Sequence, residues 1–258
     1  LPCMGSHDHT TERPTFCTAR MSFGRCWPTF SCPKRQMSEM RPGSSFGAKP
    51  ITLPYARQLT AAGLVIVSNY QYGKPGGTAP SDFTRGYPGG VVDARTAWQL
   101  HTAAGGGQSA PIFFSVDDDI DRGAWNDVVL PWFRGINSVI GVQRTGIYGG
   151  IKACQWAAAD GVIGRSGSPG HVWAWQTRSW SGGQVYPAAV LYQRVVATAS
   201  NPGPIVGGIE VDVSDVLRPR EVGCFVPATP EGKEMIQSND IGADEHGRLY
   251  LIDRAGSG

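Results

Sequence analysis

An α/β chain built on a (β/α)8 barrel of the TIM type, incomplete or irregular at its first strands, is the fold class that three observations predict. The stretch Pro111-Ile-Phe-Phe-Ser-Val-Asp-Asp-Asp-Ile-Asp-Arg122 runs six residues of apolar, aromatic and β-branched character into four carboxylates. That is the pattern of a strand buried on both faces that ends at a site rather than in a plain turn. Short runs of this kind alternate with helical-period segments after residue 63, as βα units around a parallel sheet require. Polar or aromatic residues also recur where these strands end, and the carboxyl ends of barrel strands are where such folds carry their sites. A length of 258 residues suits one barrel-sized domain. A doubly wound open sheet is the structural alternative.

Taken in order, residues 1–37 mix Pro, Cys, Met, Ser and basic residues with no clear period, and no element is placed there or in the residues up to 46. The barrel is predicted over residues 38–216. Thr52 is a plausible N-cap, Pro54 fits a first helical turn, and the helix Tyr55 to Ala62 stops at Gly63. Leu64 to Val67 reads as a short buried strand running out into Ser68-Asn69-Tyr70-Gln71-Tyr72-Gly73 and a Gly/Pro/Ser-rich loop to Gly90. Val91 to Ala104 is a helix closed by Gly105-Gly106-Gly107, after which the central strand follows. The next helix, Gly123 to Ile140, sets Val128, Val129, Trp132, Phe133, Ile136 and Ile140 on one face and stops at Gly141. A strand at Thr145 to Tyr148, a helix at Ile151 to Ala159 and a strand at His171 to Gln176 continue the alternation. A Gly/Ser/Trp loop at 179–184 precedes strands at Val190 to Gln193 and Ile205 to Val213. A closed barrel of eight would need two more strands from the amino-terminal region. Residues 217–258 read as an appendage, with a hairpin around His246-Gly247, whose removal leaves the barrel folded.

Composition excludes several partner classes. Net charge is +2 from 23 basic and 21 acidic side chains with no long run of either sign, so neither nucleic acid nor a membrane surface is indicated. No apolar run has the length of a membrane span, and the first residues lack the basic-then-apolar pattern of a signal peptide. Cys3, Cys17, Cys26 and Cys32 form no Cys-x-x-Cys pair, so zinc is not indicated and no cofactor is called for. Eight Trp, eight Tyr and nine Phe beside 35 Gly suggest an aromatic-lined site on tight loops, a surface suited to sugar rings.

The chemistry is expected at the central strand. Side chains alternate along it, so Asp117 and Asp119 share a face with Phe113 and Ser115, while Asp118 points away and Asp121 suits a helix N-cap. Tyr70, Tyr72, Tyr148, Trp175, Gln176 and Gln193 are the candidate substrate-binding residues, and Asp212 joins Asp117 and Asp119 as a candidate catalytic acid. Tyr148 and Trp175 serve equally well as core aromatics, and Asp212 has a rival in Asp215. A calcium loop on Asp117-x-Asp119-x-Asp121 fails, because Arg122 stands where the turn needs Gly and Val128 where Glu should close the shell.

Jointly, the Ser-Asn-Tyr-Gln-Tyr, Phe-Phe-Ser-Val-Asp-Asp-Asp, Gly-Ile-Tyr-Gly, Trp-Ala-Trp-Gln-Thr and Glu-Val-Asp-Val stretches resemble the glycoside-hydrolase-like domain of actinobacterial and phage proteins, domain-of-unknown-function family 1906, over about residues 40–216. That group is similar to the family-25 glycoside hydrolases, lysozymes with an Asp-x-Glu pair ending the fourth barrel strand. The resemblance puts Asp117 at the first acid, Asp119 at the Glu, Trp175-Gln176 at a sixth-strand Trp-Gln and Asp212 at a last-strand Asp. It also implies an Asp on a first strand, where residues 1–37 offer only Asp8, and Asp119 is one methylene shorter than the Glu it matches. Pro219 to Phe225 and Ser238 to Arg254 resemble a blade fragment of an LVIVD-type propeller. The resemblance implies a secreted or cell-wall-associated glycosidase of lysozyme or muramidase type that cleaves peptidoglycan, with Asp119 as proton donor and Asp117 as its charged neighbour. A non-catalytic glycan-binding barrel is the alternative, favoured by the missing first-strand Asp.

Overall fold

The structure, a computed structural model, describes residues 19–21, 50–77, 79–196, 202–206, 209–210, 212–228, 241–243 and 249–251, with backbone alone for 19–21, 206, 209–210, 241–243 and 249–251. The fold is mixed α/β around a curled half-barrel sheet. Its strands neighbour one another in the order β1 (Ala19–Met21), β2 (Ile66–Tyr70), β3 (Ile112–Val116), β4 (Thr145–Gly149), β5 (Val172–Thr177), β6 (Ala189–Val195) and β9 (Val213–Val216). All neighbours are parallel until β9, which runs antiparallel to β6. Two features depart from the expected barrel. A three-residue strand, β1, forms in the region that shows no period. The expected last strand Ile205 to Val213 divides instead: β7 (Ile205–Val206) pairs with β8 (Ile209–Glu210), and the sheet is rejoined only at Val213.

The helices form for local reasons that the sequence states. Thr52 accepts a hydrogen bond from the Tyr55 amide and starts α1 (Leu53–Ala61). The turn Asp82–Arg85 leads into α2 (Gly86–Ala103). Asp121 caps α3 (Arg122–Ala124) by accepting from the Ala124 amide at 2.8 Å. The helix then widens to π geometry over Trp125–Val129 before α4 (Leu130–Ile140). Pro131 lacks the N–H that would bond the Asp127 carbonyl, which accounts for the slack turn ahead of it. Helix α5 (Ile151–Ala159) follows β4 directly.

Helices α2 and α4 touch backbone to backbone through a reciprocal pair of glycines. A Cβ on Gly90 would lie 2.0 Å from the Trp132 carbonyl oxygen, and one on Gly135 would lie 2.2 Å from that of Tyr87. On the helix-covered face of the sheet, Ile112, Phe114, Val116, Ile147 and Ala174 pack with Trp125, Val129, Trp132, Phe133 and Ile136. On the opposite, concave face, Val67, Phe113, Tyr148, Trp173, Trp175 and Leu191 form a second cluster without helical partners. The two phenylalanines of β3 therefore serve different cores, as period-2 alternation demands.

The segment after β9 is packed into this fold. Strand β10 (Cys224–Phe225) pairs antiparallel with Val67 and Ile66 of β2, and Phe225 is buried with Ile51, Leu59 and Ile66. The Glu221 carboxylate accepts from the Gly167 amide at 2.8 Å, and the Ser168 hydroxyl accepts from the amides of Arg220 and Glu221. Residues 220–225 thus pack against β2 and the Gly167–Ser168 turn. Further on, β11 (Ile241–Ala243) and β12 (Leu249–Leu251) pair antiparallel, and the expected turn at His246-Gly247 lies outside the described residues. Phe225→Ala is expected to lower the unfolding free energy by about 3 kcal/mol. Deletion of residues 217–258 is expected to destabilise at least as much in urea unfolding, and an unchanged midpoint for both would show this packing to be inert.

Candidate functional site

The concave face of the sheet carries polar residues toward one rim. Because β9 runs antiparallel to its neighbour, its first residues lie at the same rim as the ends of the parallel strands, with Ser214 opposite Gln193 and Val213 opposite Val195. This places Asp212, just ahead of β9, beside the end of β6. Gln193 is 1 % exposed and bridges two groups: its carbonyl oxygen accepts from the Tyr148 hydroxyl at 2.6 Å, and its amide donates to Asp212 Oδ2 at 2.7 Å. A buried amide needs both functions satisfied, and these partners satisfy them.

Asp117 lies at the end of β3, half-buried, and its Oδ2 accepts from Gln71 Nε2 at 3.0 Å. One layer below, the side chains of Asn69 and Ser115 are hydrogen-bonded across β2 and β3 at 3.1 Å. Beneath these lies an aromatic floor. Trp175 meets Phe113 edge to face at 5.9 Å and Tyr148 at 5.7 Å, and its indole N–H donates to the Ser214 hydroxyl at 3.1 Å. Tyr148 and Trp175 are both buried and so form the packed base of the concave face.

Other expected members stand elsewhere. Tyr70 faces the helices, where its hydroxyl donates to the buried Asp93 carboxylate at 2.8 Å, and burial beside Asp93 pushes its ionisation far up, keeping it a donor. Tyr72 packs against the same helix-side cluster. Gln176 also points away from the concave face; its amide donates to the Gln184 carbonyl at 2.8 Å and its oxygen accepts from the Tyr186 amide at 2.7 Å, which fastens the loop between β5 and β6. Asp119 lies at the rim with its side chain 58 % exposed, 3.7 Å from the Lys152 ammonium on the first turn of α5. It meets a cation rather than the second carboxylate that spacing suggests. Asp118 accepts from the Asp119 amide at 2.9 Å. Among the described residues no group of three or more His, Cys, Asp or Glu is arranged to hold a metal ion. Likewise, no helix among them is long and apolar enough to cross a membrane.

Sequence reasoning missed the residues that hold Asp117 in place. Asp82 is buried, and its carboxylate accepts from the amides of Tyr72 at 2.6 Å and Gly73 at 3.1 Å and from Arg85 at 3.1 Å. It thereby fixes the backbone that immediately follows Gln71. Arg85 in turn reaches both oxygens of Asp93, at 2.7 and 2.8 Å. Desolvation is the largest influence on Asp82 and pushes its carboxyl up to about 6. An acid twelve residues beyond the end of β2 at Tyr70, in a Gly/Pro loop, offered no pattern that tied it to Gln71.

Comparison with known proteins places these features in a family. The model of the Rv2525c-like, glycoside hydrolase-like domain matches residues 35–216, which bears out the resemblance read from the strand-end motifs. A Mycobacterium tuberculosis protein named "Putative peptidoglycan hydrolase Rv2525c" is 42 % identical over 189 residues, 72 % of this chain and 72 % of its own length. Two crystal structures of the Tat-secreted Rv2525c protein of that organism match with 40 % identity and a TM-score of 0.60. The one with L-tartrate aligns with 69 % of this chain and 80 % of its own, and the one with HEPES with 73 % and 85 %.

The Asp82 carboxyl rises from an ordinary 3.8 to about 6 on folding, so its charged form is disfavoured in the folded chain. Stability from this group is fully present below the unfolded value and is lost as pH rises through the folded one. The cost is on the order of 3 kcal/mol once pH exceeds about 6. Asp82→Asn is expected to remove this slope between pH 4 and 6. Its single side-chain oxygen cannot serve both amides, so stability also falls by about 1–3 kcal/mol below pH 4. Urea unfolding across that range reads both effects, and an unchanged slope would show that the carboxylate does not titrate there.

Proposed function

Because the chain belongs to the Rv2525c-like, glycoside hydrolase-like domain family, we propose that it is a cell-wall hydrolase, a lysozyme- or muramidase-like glycosidase acting on the amino-sugar backbone of peptidoglycan. The observation that carries this reading is the convergence of Asp117, Asp119 and the Gln193–Asp212 pair on one rim above an aromatic floor. Two acids at such a rim suit glycoside hydrolysis, in which one carboxyl donates its proton to the leaving oxygen as the C1–O bond breaks. The other carboxylate stabilises the oxocarbenium-like centre or activates the water that adds to C1. In this proposal Asp119 donates, and Asp117 supplies the negative charge. Gln71 occupies Oδ2 of Asp117 and orients the carboxylate, while Oδ1 makes no hydrogen bond among the described residues and is available to a sugar or to water. Gln193 and Asp212 present an amide and a carboxylate to sugar hydroxyls. Secretion to the cell wall fits the same reading, since the matched relative is described as Tat-secreted.

One observation favours a glycan-binding protein without hydrolysis. Asp119 is exposed and faces an ammonium, whereas general acids ordinarily sit in apolar surroundings or against a like charge. The absence of any acid between Met21 of β1 and Glu39 points the same way. Asp119→Asn decides between the readings. If Asp119 is the proton donor, release of reducing ends from purified peptidoglycan should fall by about 10²–10⁴-fold while pull-down on the same polymer is little changed. Hydrolysis at the parent rate would remove Asp119 as donor, and a parent inert on every amino-sugar polymer but retained by them would establish the binder.

A further inference from the structure

Among the seven described tryptophans, six are engaged. Trp125, Trp132, Trp173 and Trp175 donate their indole N–H groups to Asp160, Asp93, the Gln143 carbonyl and Ser214. Trp98 stacks on His101 beneath Arg144, and Trp156 lies against Trp125 and Arg122. Trp180 is the exception. Its side chain makes no hydrogen bond and no aromatic or cationic ring contact with any described residue, and it is 37 % exposed.

Its backbone is equally unusual. Trp180 has φ of 57°, a left-handed conformation that a bulky side chain rarely adopts and that Gly takes freely. The loop around it is hydrogen-bonded to its neighbours on both sides. Ser181 is buried; its hydroxyl donates to the Thr177 carbonyl at 2.6 Å and accepts from the Ile151 amide at 3.1 Å, tying the loop to the start of α5. Gln176 fastens the far side of the loop at residues 184 and 186, and the Arg178 amide donates to the Gln193 carbonyl at 2.9 Å. A Cβ on Gly150 would lie 3.2 Å from Trp180 Cβ, so this loop abuts the turn between β4 and α5. Two residues further along, Lys152 faces Asp119. Trp180 thus lies past the carboxyl-terminal end of β5, against the turn that leads to Lys152 and its Asp119 contact, on a strained loop tied to α5 and β6.

A strained residue whose ring makes no hydrogen bond and no aromatic or cationic contact with a described residue invites a functional reading. We propose that Trp180 is a sugar-stacking platform of the glycan cleft, taking the C–H face of one pyranose of an amino-sugar polymer beside the Asp119–Lys152 pair. The occupant follows from the position: an exposed aromatic face continues a rim of carboxylates and amides, which is the pairing of surfaces a pyranose presents. This rests on the glycan-directed reading above and deepens it.

Trp180→Gly separates the ring from the fold, because glycine accepts the left-handed backbone while removing the platform. The probe is soluble N-acetylglucosamine hexamer in calorimetric titration, with sedimentation on purified peptidoglycan beside it. The parent should bind, Trp180→Gly should bind roughly 10-fold or more weakly with an unchanged or higher melting temperature, and Trp180→Phe should stay within about 3-fold of the parent. Parent-like binding by Trp180→Gly would overturn the platform while leaving the glycan-directed reading intact. A drop in its melting temperature would show the ring to be structural and overturn it as well. A parent that binds neither glycan would remove both proposals, and that outcome is visible before any variant is compared.

Discussion

The buried carboxylate of Asp93 ties the elements behind the site to one another. It lies on α2, is 1 % exposed, and accepts from the Tyr70 hydroxyl on β2, the Trp132 indole on α4 and both-oxygen contacts from Arg85. A buried charge survives only where such partners replace its water, so the constraint works in both directions. Tyr70, Trp132 and Arg85 hold the charge, and the charge holds them. Arg85 also reaches Asp82, which grips the two amides after Gln71, and Gln71 donates to Asp117. A line of hydrogen bonds and two ion pairs, both made by Arg85, therefore runs from the helix layer to the rim carboxylate. The two carboxylates share one guanidinium, which leaves the cluster with an excess negative charge and makes a proton on Asp82 easier to accept.

The sheet gives each face a separate task. On the convex side, Phe114 packs edge to face on Trp132 at 5.9 Å in the large helix-covered core. On the concave side, Phe113 meets Trp175 in an aromatic base that supports a polar upper tier. Every polar member of that tier finds a partner across a strand boundary: Asn69 with Ser115, Gln71 with Asp117, Tyr148 with Gln193, Trp175 with Ser214. Cross-strand pairing of this kind fixes register, since a slip of one residue would move each polar group into the helix-side core.

That same period of two explains what was legible in the sequence and what was not. The face of Asp117 could be read, because six residues of continuous strand precede it and set the phase. The phase of β2 could not, because the apolar run stops at Val67 while the strand continues through Ser68 and Asn69 to Tyr70. Those polar residues are tolerated in a buried strand only through tertiary partners, His101 for Ser68 and Ser115 for Asn69. Tyr70 thus looks like a strand-end wall when its neighbour Gln71 is the one that faces the site. Trp175 and Gln176 are adjacent and cannot share a face, so only one of them could reach the concave side. The three residues of β1 are too few to show a period, and the direction of β9 is a property of the chain's return path rather than of local pattern.

The antiparallel return of β9 bears on how charge is assembled at the rim. In a fully parallel barrel each strand contributes its carboxyl end, and the resemblance to the family-25 glycoside hydrolases implies an acid on the first; none follows β1 before Glu39. By reversing direction beside β6, β9 instead brings a strand start to the rim, and Asp212 arrives there from the opposite end of a strand. On a flat sheet β3 and β9, four strand steps apart, would hold their carboxylates about 19 Å from one another. The sheet is curled rather than flat, which shortens the span across its concave face. The aromatic base of Phe113, Tyr148 and Trp175, packed edge to face on the inner side, fills and sets that curvature. Buried, these rings support the polar rim from beneath rather than forming part of its exposed surface.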